Sequence, residues 1–174
     1  AMLTVTGRRY TQERCRQISS TGDKDALLQL TVRFTLAALN REGDQEGNFI
    51  VFLPGWQKIC DVQKALKKQI PKLNIMMLHS DVIGNENEDV IDMPEDDGRL
   101  VVLSTVIGAR SMTIDRLKHA ILHLHLRTSS LHPTGISRIQ DQLVSAELSG
   151  NMAGRVARVS EGLCTFLKLE KDPL

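Results

Sequence analysis

The chain has 174 residues, of which 41% are hydrophobic and 25% are charged, as in ordinary globular proteins. This composition excludes a disordered or fibrous protein, and the length is enough for one domain with a substantial core. No apolar run approaches the roughly 20 residues of a membrane-spanning helix, so no membrane partner is expected.

The net charge of +1 conceals an uneven distribution. Eight carboxylates and no Lys or Arg lie between Asp81 and Asp97, whereas six basic residues and a single acid, Asp115, lie between Arg99 and Arg138. This split indicates either a basic face for an anionic partner, with an acidic loop kept away from it, or a solvated loop and scattered surface charge.

Three cysteines, Cys15, Cys60 and Cys164, lie far apart and form no CxxC pair. An odd number without such a pair is typical of a reducing compartment and argues against structural zinc. We therefore expect a cytoplasmic protein with three ordinary thiols and no metal site.

The predicted elements alternate between helices and short apolar strands. Residues 1–22 are expected to lead into the domain, with an alternating strand-like run at 3–6; residues 23–170 form the domain and 171–174 a linker. Helical spacing predicts helices at 24–39, 56–69 and 137–148. Apolar runs predict buried strands at 49–53, 73–78, 100–103, 120–126 and 163–167.

This alternation predicts an α/β fold, a three-layer sandwich with a mainly parallel sheet. Ligands of such folds gather at the carboxyl ends of the strands. Candidate functional residues should therefore follow Leu53, Leu78, Leu103 and Leu126.

The phosphate-binding motifs GxxxxGK[ST] and GxGxxG are absent from the sequence, as is DExH. The chain alone therefore cannot hold a triphosphate and its magnesium in the P-loop manner. The sequence also gives no nucleophilic triad that spacing could assign.

Four segments instead follow one another in a distinctive order. They read FIVFLPGWQKI at 49–59, MLHS at 77–80, VVLSTVIGARSMTID at 101–115 and GRVAR at 154–158. The patterns FLPGxxxI, LHS, VVLSTxIxxxSxTID and GRxxR resemble helicase motifs of the second RecA-like domain in DEAH-box RNA helicases. The resemblance covers roughly residues 47–167, and the order of all four makes it specific.

The resemblance implies a RecA-like helicase C-terminal domain that binds single-stranded RNA. Thr105 would offer its hydroxyl and backbone N–H to an RNA phosphate. His79, Ser80 and Ser104 would lie along the same RNA track, where backbone contacts give affinity without sequence readout. ATP and magnesium would be bound only together with a first RecA-like domain.

The resemblance also assigns Arg155 and Arg158 to the family's arginines that reach across the domain cleft to the triphosphate. A planar, permanently charged guanidinium stabilises charge on the transferring phosphoryl group there. These two are the candidate catalytic and nucleotide-binding residues.

The sequence departs from the family pattern at several polar positions. The third segment usually reads STNIAE(T/S)S in the family; this chain has Val106 for Asn, Gly108 for Ala, Ala109 for Glu and an added charge at Arg110. The last motif usually reads QRxGRxGR; this chain has Asn151 for Gln, Met152 for the first Arg and Ala157 for the second Gly. Loss of one well-placed catalytic group commonly costs about two to three orders of magnitude in rate. The departures favour a pseudo-helicase over a working but divergent enzyme.

The pattern of loss suggests what such a protein would do. The first two segments also resemble DExH proteins of germ-cell RNA control, and the eroded motifs resemble a helicase-like scaffold in translational repression. This implies mRNA and a germline regulatory protein as partners. A domain that binds only protein is the remaining alternative.

A histidine pair and the single tryptophan each allow more than one interpretation. His123 and His125, where the family has Asp and Gly, could begin a metal site with His119 or His132, or be polar residues on a less buried strand face. Trp56 could stack on a base, belong to a partner-binding patch, or pack under the preceding loop, which the sequence favours.

Overall fold

The computed structural model describes residues 15–20, 24–41, 47–79, 98–109, 114–131, 135, 137–156 and 162–169. Within these ranges the chain forms helices and strands in alternation. The helices are α1 (Lys24–Arg41), α2 (Trp56–Gln69) and α3 (Ala146–Ala153). The strands are β1 (Cys15–Ser20), β2 (Asn48–Phe52), β3 (Asn74–Leu78), β4 (Leu100–Ser104), β5 (Leu117–His123), β6 (His125–Leu131), β7 (Ser137–Leu143) and β8 (Leu163–Leu169).

Six of the strands form one parallel sheet in the order β1-β8-β5-β2-β4-β3. β2 and β4 lie inside the sheet and every one of their residues is buried, which explains why their sequences are almost wholly apolar. β6 and β7 pair antiparallel as a separate hairpin.

Two hydrophobic clusters lie on the two faces of the sheet. Ile50 and Phe52 of β2 belong to one cluster, and Phe49 and Val51 belong to the other, because successive strand side chains point to opposite faces. The Phe49 cluster contains buried residues of α1 and α2, and the Ile50 cluster contains Met152 of α3. The predicted three-layer α/β sandwich with a mainly parallel sheet is confirmed.

The helix α2 has the predicted bounds, and its buried face consists of Ile59, Val62 and Leu66. These residues recur three and four positions apart, as on one stripe of an amphipathic helix. Pro71 follows and allows no further helical turn. None of the described helices is long and apolar enough to cross a membrane.

A buried asparagine organises the amino edge of the sheet. Asn48 is 2% exposed. Its side-chain N–H donates to the Asp115 carbonyl (2.6 Å), and its side-chain oxygen accepts from the Leu100 backbone N–H (2.9 Å). The Asn48 backbone N–H donates to the carbonyl of Arg116 (2.8 Å), a residue with φ 51°. One side chain thus ties β2 to the starts of β4 and β5.

The region after β5 differs from its prediction. The strand expected at 120–126 ends at His123, and β6 begins two residues later. The helix predicted at 137–148 is wrong: Ser137–Leu143 is β7, and the helix begins only at Ala146. Ser145 sets that start, because its hydroxyl accepts from the Leu148 N–H (3.2 Å) as an N-cap.

The N-terminal part of the chain contributes to the sheet. β1 lies within the segment 1–22 and pairs in register with β8. The strand predicted at 3–6 lies outside the described residues.

Candidate nucleic-acid and nucleotide interface

The carboxyl ends of three neighbouring strands bring motif residues together. β4 lies between β2 and β3, and Ser104 is in register with Phe52 on one side and Leu78 on the other. The Thr105 backbone N–H donates to the Leu78 carbonyl (3.2 Å). His79 follows Leu78 directly, so Thr105 and His79 leave the sheet side by side.

A tight turn follows β4, and the Ser104 side chain holds it together. Ser104 is fully buried; its hydroxyl donates to the Thr105 carbonyl (2.8 Å) and accepts from the Gly108 N–H (3.2 Å). A Cβ at position 108 would collide with the Ser104 hydroxyl. An alanine here, as in the family pattern, would therefore require the Ser104 side chain to shift from this position.

These bonds change what each motif residue can offer to RNA. The Ser104 hydroxyl is hydrogen-bonded within the turn, so it stabilises the turn and does not contact RNA directly. The Thr105 N–H, predicted to reach a phosphate, is used by the Leu78 carbonyl. Thr105 itself is half-buried, so the expected phosphate contact would depend on its hydroxyl.

An aromatic pair lies at the same edge. The rings of Trp56 and His79 have centroids 5.6 Å apart and planes inclined at 55°. Trp56 is the first residue of α2 and is 38% exposed, so it is not buried beneath the preceding loop as the sequence favoured. His79 is half-buried, and Ser80 lies outside the described residues.

The motif that the resemblance assigns to nucleotide binding begins in α3 and continues past its end. Gly154 is the C-cap of this helix, and the Arg155 N–H donates to the Met152 carbonyl (3.2 Å). Arg155 is half-buried. Arg158 lies outside the described residues, so the structure places one of the two predicted arginines.

Two of the motif departures are joined in one hydrophobic cluster. Met152 is fully buried in the cluster that includes Phe52 and Leu122, and Val106 packs against it. The family pattern has Arg at position 152 and Asn at position 106. Here both polar groups are replaced by apolar side chains that stabilise the core, while Asn151 is exposed.

The histidines at the end of β5 and the start of β6 do not form the strand face that the sequence suggested. His123 is only 3% exposed, and its Nδ1 lies 3.2 Å from the His125 carbonyl; the expectation of a less buried face is wrong for His123. His119 is also buried and stacks on Phe49, with ring centroids 4.4 Å apart. Among the described residues no group of three or more His, Cys, Asp or Glu could hold a metal ion; His132 is outside them.

The basic residues between 99 and 138 are divided between two edges of the sheet. Arg99, Arg116 and Lys118 lie at the amino edge, where Arg99 donates to the Leu39 carbonyl (2.6 Å). Arg127 lies at the other edge, where its backbone N–H donates to the Pro54 carbonyl (3.2 Å). The described part of this segment therefore does not form the single basic face that charge counting allowed.

Sequence reasoning missed two features of this edge. Gly108 was visible as a departure from the family pattern, but the contact that requires it involves a side chain four residues away. The contact between Trp56 and His79 joins residues 23 positions apart in the sequence. It could be anticipated only from the rule that parallel strands end at one edge.

Comparison with known proteins identifies the family. The model of the helicase conserved C-terminal domain matches residues 24–160. The chain is 31% identical over 129 residues to the DExH-box ATP-dependent RNA helicase DExH2 of Arabidopsis thaliana, covering 71% of this chain and 8% of that protein. It is 29% identical over 174 residues to the ATP-dependent RNA helicase HrpA of Escherichia coli, covering 98% of this chain and 13% of that protein.

A solved structure shares the fold. The Escherichia coli DEAH/RHA helicase HrpB superposes with a TM-score of 0.69 at 24% identity, covering 91% of this chain and 20% of that chain. Like the curated relatives, it is much longer than the part that matches. The chain therefore belongs to the family of helicase conserved C-terminal domains, in the form found in DExH-box RNA helicases.

Proposed function

We propose that this domain binds single-stranded RNA at the carboxyl edge of its sheet and has lost coupled ATP hydrolysis. The RNA part is supported by the relatives, which are named RNA helicases. It is also supported by Thr105 and His79, which leave adjacent strands side by side. A hydroxyl and a half-buried imidazole at one edge suit contacts to a phosphate backbone.

One observation supports the loss of hydrolysis: Met152 is part of a hydrophobic core cluster, and Val106 packs against the same cluster. A triphosphate site needs polar donors aimed at the phosphates. On the described part of this chain Arg155 is such a donor, but Val106 and Met152 offer none. The described residues of these motifs therefore supply fewer donors to a triphosphate than the family pattern does. ATP and magnesium would require the first RecA-like domain.

In this proposal the protein is a cytoplasmic RNA- and protein-binding scaffold in translational repression. Its partners would be mRNA and a regulatory protein of the germline. The narrower idea rests on the resemblance of the eroded motifs to the insect benign gonial cell neoplasm protein, and the relatives reported above add no support to that identity. A scaffold derived from a helicase would keep its RNA-binding residues and lose its nucleotide site. The half-buried Thr105 and His79 and the fully buried Met152 agree with that expectation.

The second candidate is an active ATP-dependent RNA helicase. Arg155 favours it, because this arginine follows α3 directly and stays half-buried, as a residue that reaches into a domain cleft would. In that case the polar groups lost at 106 and 152 would be dispensable.

RNA binding and RNA-stimulated ATP hydrolysis of the full-length protein distinguish the two candidates. We expect RNA binding at low salt, where phosphate contacts are strongest, and no stimulation of hydrolysis by RNA. Thr105→Ala should weaken binding, and Thr105→Ser, which keeps the hydroxyl, should restore it. Hydrolysis that RNA stimulates and Arg155→Ala abolishes would establish the active enzyme. Absence of RNA affinity at low salt would favour a domain that binds only protein.

A further inference from the structure

We propose that Trp56, held by His79, is a stacking platform for one nucleobase of the bound single strand. This inference rests on the proposed RNA binding and adds a base contact to the phosphate contact at Thr105.

The first argument is exposure. Among the described residues, Trp56 and Leu143 are the large hydrophobic side chains that stay exposed, at 38% and 39%. Phe49, Phe52 and Phe166 are buried. An indole carries the largest apolar surface of any side chain, so leaving it partly in water forgoes stabilisation that burial would give. Exposed aromatic rings are what single-strand binding proteins use to stack bases.

The second argument is orientation. Trp56 begins α2, so its backbone is fixed by the helix, and its ring contacts the His79 ring. A side chain held in this way loses little conformational freedom when a base stacks on it. The indole is therefore preorganised for stacking.

The third argument is position. Trp56 follows β2 and His79 follows β3, with β4 between them in the sheet. A ring contact between these residues must span the end of β4, where Thr105 lies. The base platform and the phosphate-contacting hydroxyl are thus neighbours, as the two parts of one nucleotide require.

A basic side chain, that of Arg127, lies near the residue that precedes the platform. The Cδ atom of Arg127 is 4.0 Å from the position that a Cβ on Gly55 would occupy, and the Arg127 N–H donates to the Pro54 carbonyl (3.2 Å). The Arg127 side chain is exposed, and its Cδ lies beside Gly55, the residue that precedes Trp56. An aromatic surface, a hydroxyl and a guanidinium together match a base and its phosphates better than an apolar protein surface.

The test uses Trp56 as its own reporter, because it is the only tryptophan among the 174 residues. The chain is titrated at low salt with an oligouridylate of about 12 nucleotides and with an abasic ribose-phosphate oligomer of the same length. We expect the oligouridylate to quench the tryptophan fluorescence and the abasic oligomer to bind without quenching it.

Variants separate base stacking from other roles, with binding followed by the anisotropy of labelled oligomers. Trp56→Ala should raise the Kd for oligouridylate about 5- to 150-fold, the range for loss of one stacked base, and leave the Kd for the abasic oligomer unchanged. Trp56→Phe keeps an aromatic ring and should keep most of the affinity. Leu143→Ala removes an equally exposed apolar side chain and should have no effect.

The outcomes that overturn the proposal are distinct from failure of RNA binding itself. If oligouridylate binds but Trp56→Ala leaves its Kd unchanged, stacking at Trp56 is refuted while the RNA function stands. The exposed indole would then belong to a protein-binding surface. If neither oligomer binds at low salt, the proposed RNA function fails and this inference fails with it. Circular dichroism and thermal unfolding confirm that the variants are folded.

Discussion

The polar side chains at the two edges of the parallel sheet differ in burial and bonding. At the amino edge, Asn48 is buried and bonded to the backbone of two neighbouring segments, and Arg99 is bonded to the Leu39 carbonyl. At the carboxyl edge, Thr105 and His79 are only half-buried and Trp56 is exposed. The comparison teaches that charge alone does not locate a binding site, because the amino edge is also basic but its described polar groups hold the fold together.

The largest predicted effect, a loss of stability, comes from replacing Met152 with the arginine of the family pattern. Met152→Arg should lower the free energy of unfolding by about 3–5 kcal/mol, because it places a guanidinium in a cluster whose described members are apolar. Met152→Leu conserves volume and should cost less than about 1.5 kcal/mol. Chemical denaturation measures both. A Met152→Arg protein as stable as the original would show that position 152 opens into the cleft.

Removal of the amino-edge asparagine should come next in size. Asn48→Ala leaves the Leu100 N–H and the Asp115 carbonyl without this partner in a buried region, which should cost about 2–4 kcal/mol. RNA affinity of the folded variant should not change. Gln57→Ala is the matched control, since its amide bonds Asp61 at the exposed surface (3.0 Å); its cost should stay within about 0.5 kcal/mol. A loss of RNA affinity in folded Asn48→Ala would break the division between the two edges.

The turn after β4 should be sensitive to one added methyl group. Gly108→Ala forces a Cβ against the Ser104 hydroxyl, which should cost about 1–3 kcal/mol and weaken RNA binding by moving Thr105. Combining it with Ser104→Ala removes the clashing hydroxyl. The double variant should therefore be more stable than the sum of the single changes predicts, as measured by a double-mutant cycle. Strict additivity would show that the two side chains do not meet.

The smallest predicted effect compares one cation at each edge. Arg127→Gln should reduce the slope of log Kd against log salt for single-stranded RNA by about 0.7, the value for one phosphate contact. Lys118→Gln, at the amino edge, should leave that slope unchanged. Equal changes in the two variants would mean that the charge acts without regard to position.

The sequence predicted the interior of this fold better than its exposed parts. Strands buried on both faces, such as 49–53 and 100–103, are recognisable because every side chain must be apolar, and α2 is recognisable from its stripe at Ile59, Val62 and Leu66. β7, by contrast, is polar and pairs only with β6. Its sequence lacks the regular apolar alternation of a half-buried strand, so 137–148 could be mistaken for a helix.

For the site, motif order predicted the edge but not the bonding. The sequence indicated that His79 and Thr105 would follow the carboxyl ends of strands, and the structure shows that those strands are neighbours. It could not show that the Thr105 N–H is taken by Leu78 or that Ser104 is enclosed in its turn. Those facts depend on register and side-chain direction between distant segments, which local patterns do not encode.

The most direct test of the account is photo-cross-linking of single-stranded RNA containing 4-thiouridine, with the linked peptides identified by mass spectrometry. We predict cross-links to peptides of the carboxyl edge, those that contain Trp56, His79 and Thr105. Cross-links concentrated instead on the amino-edge peptides with Asn48, Arg116 and Lys118 would contradict the claim that RNA binds where the strands end.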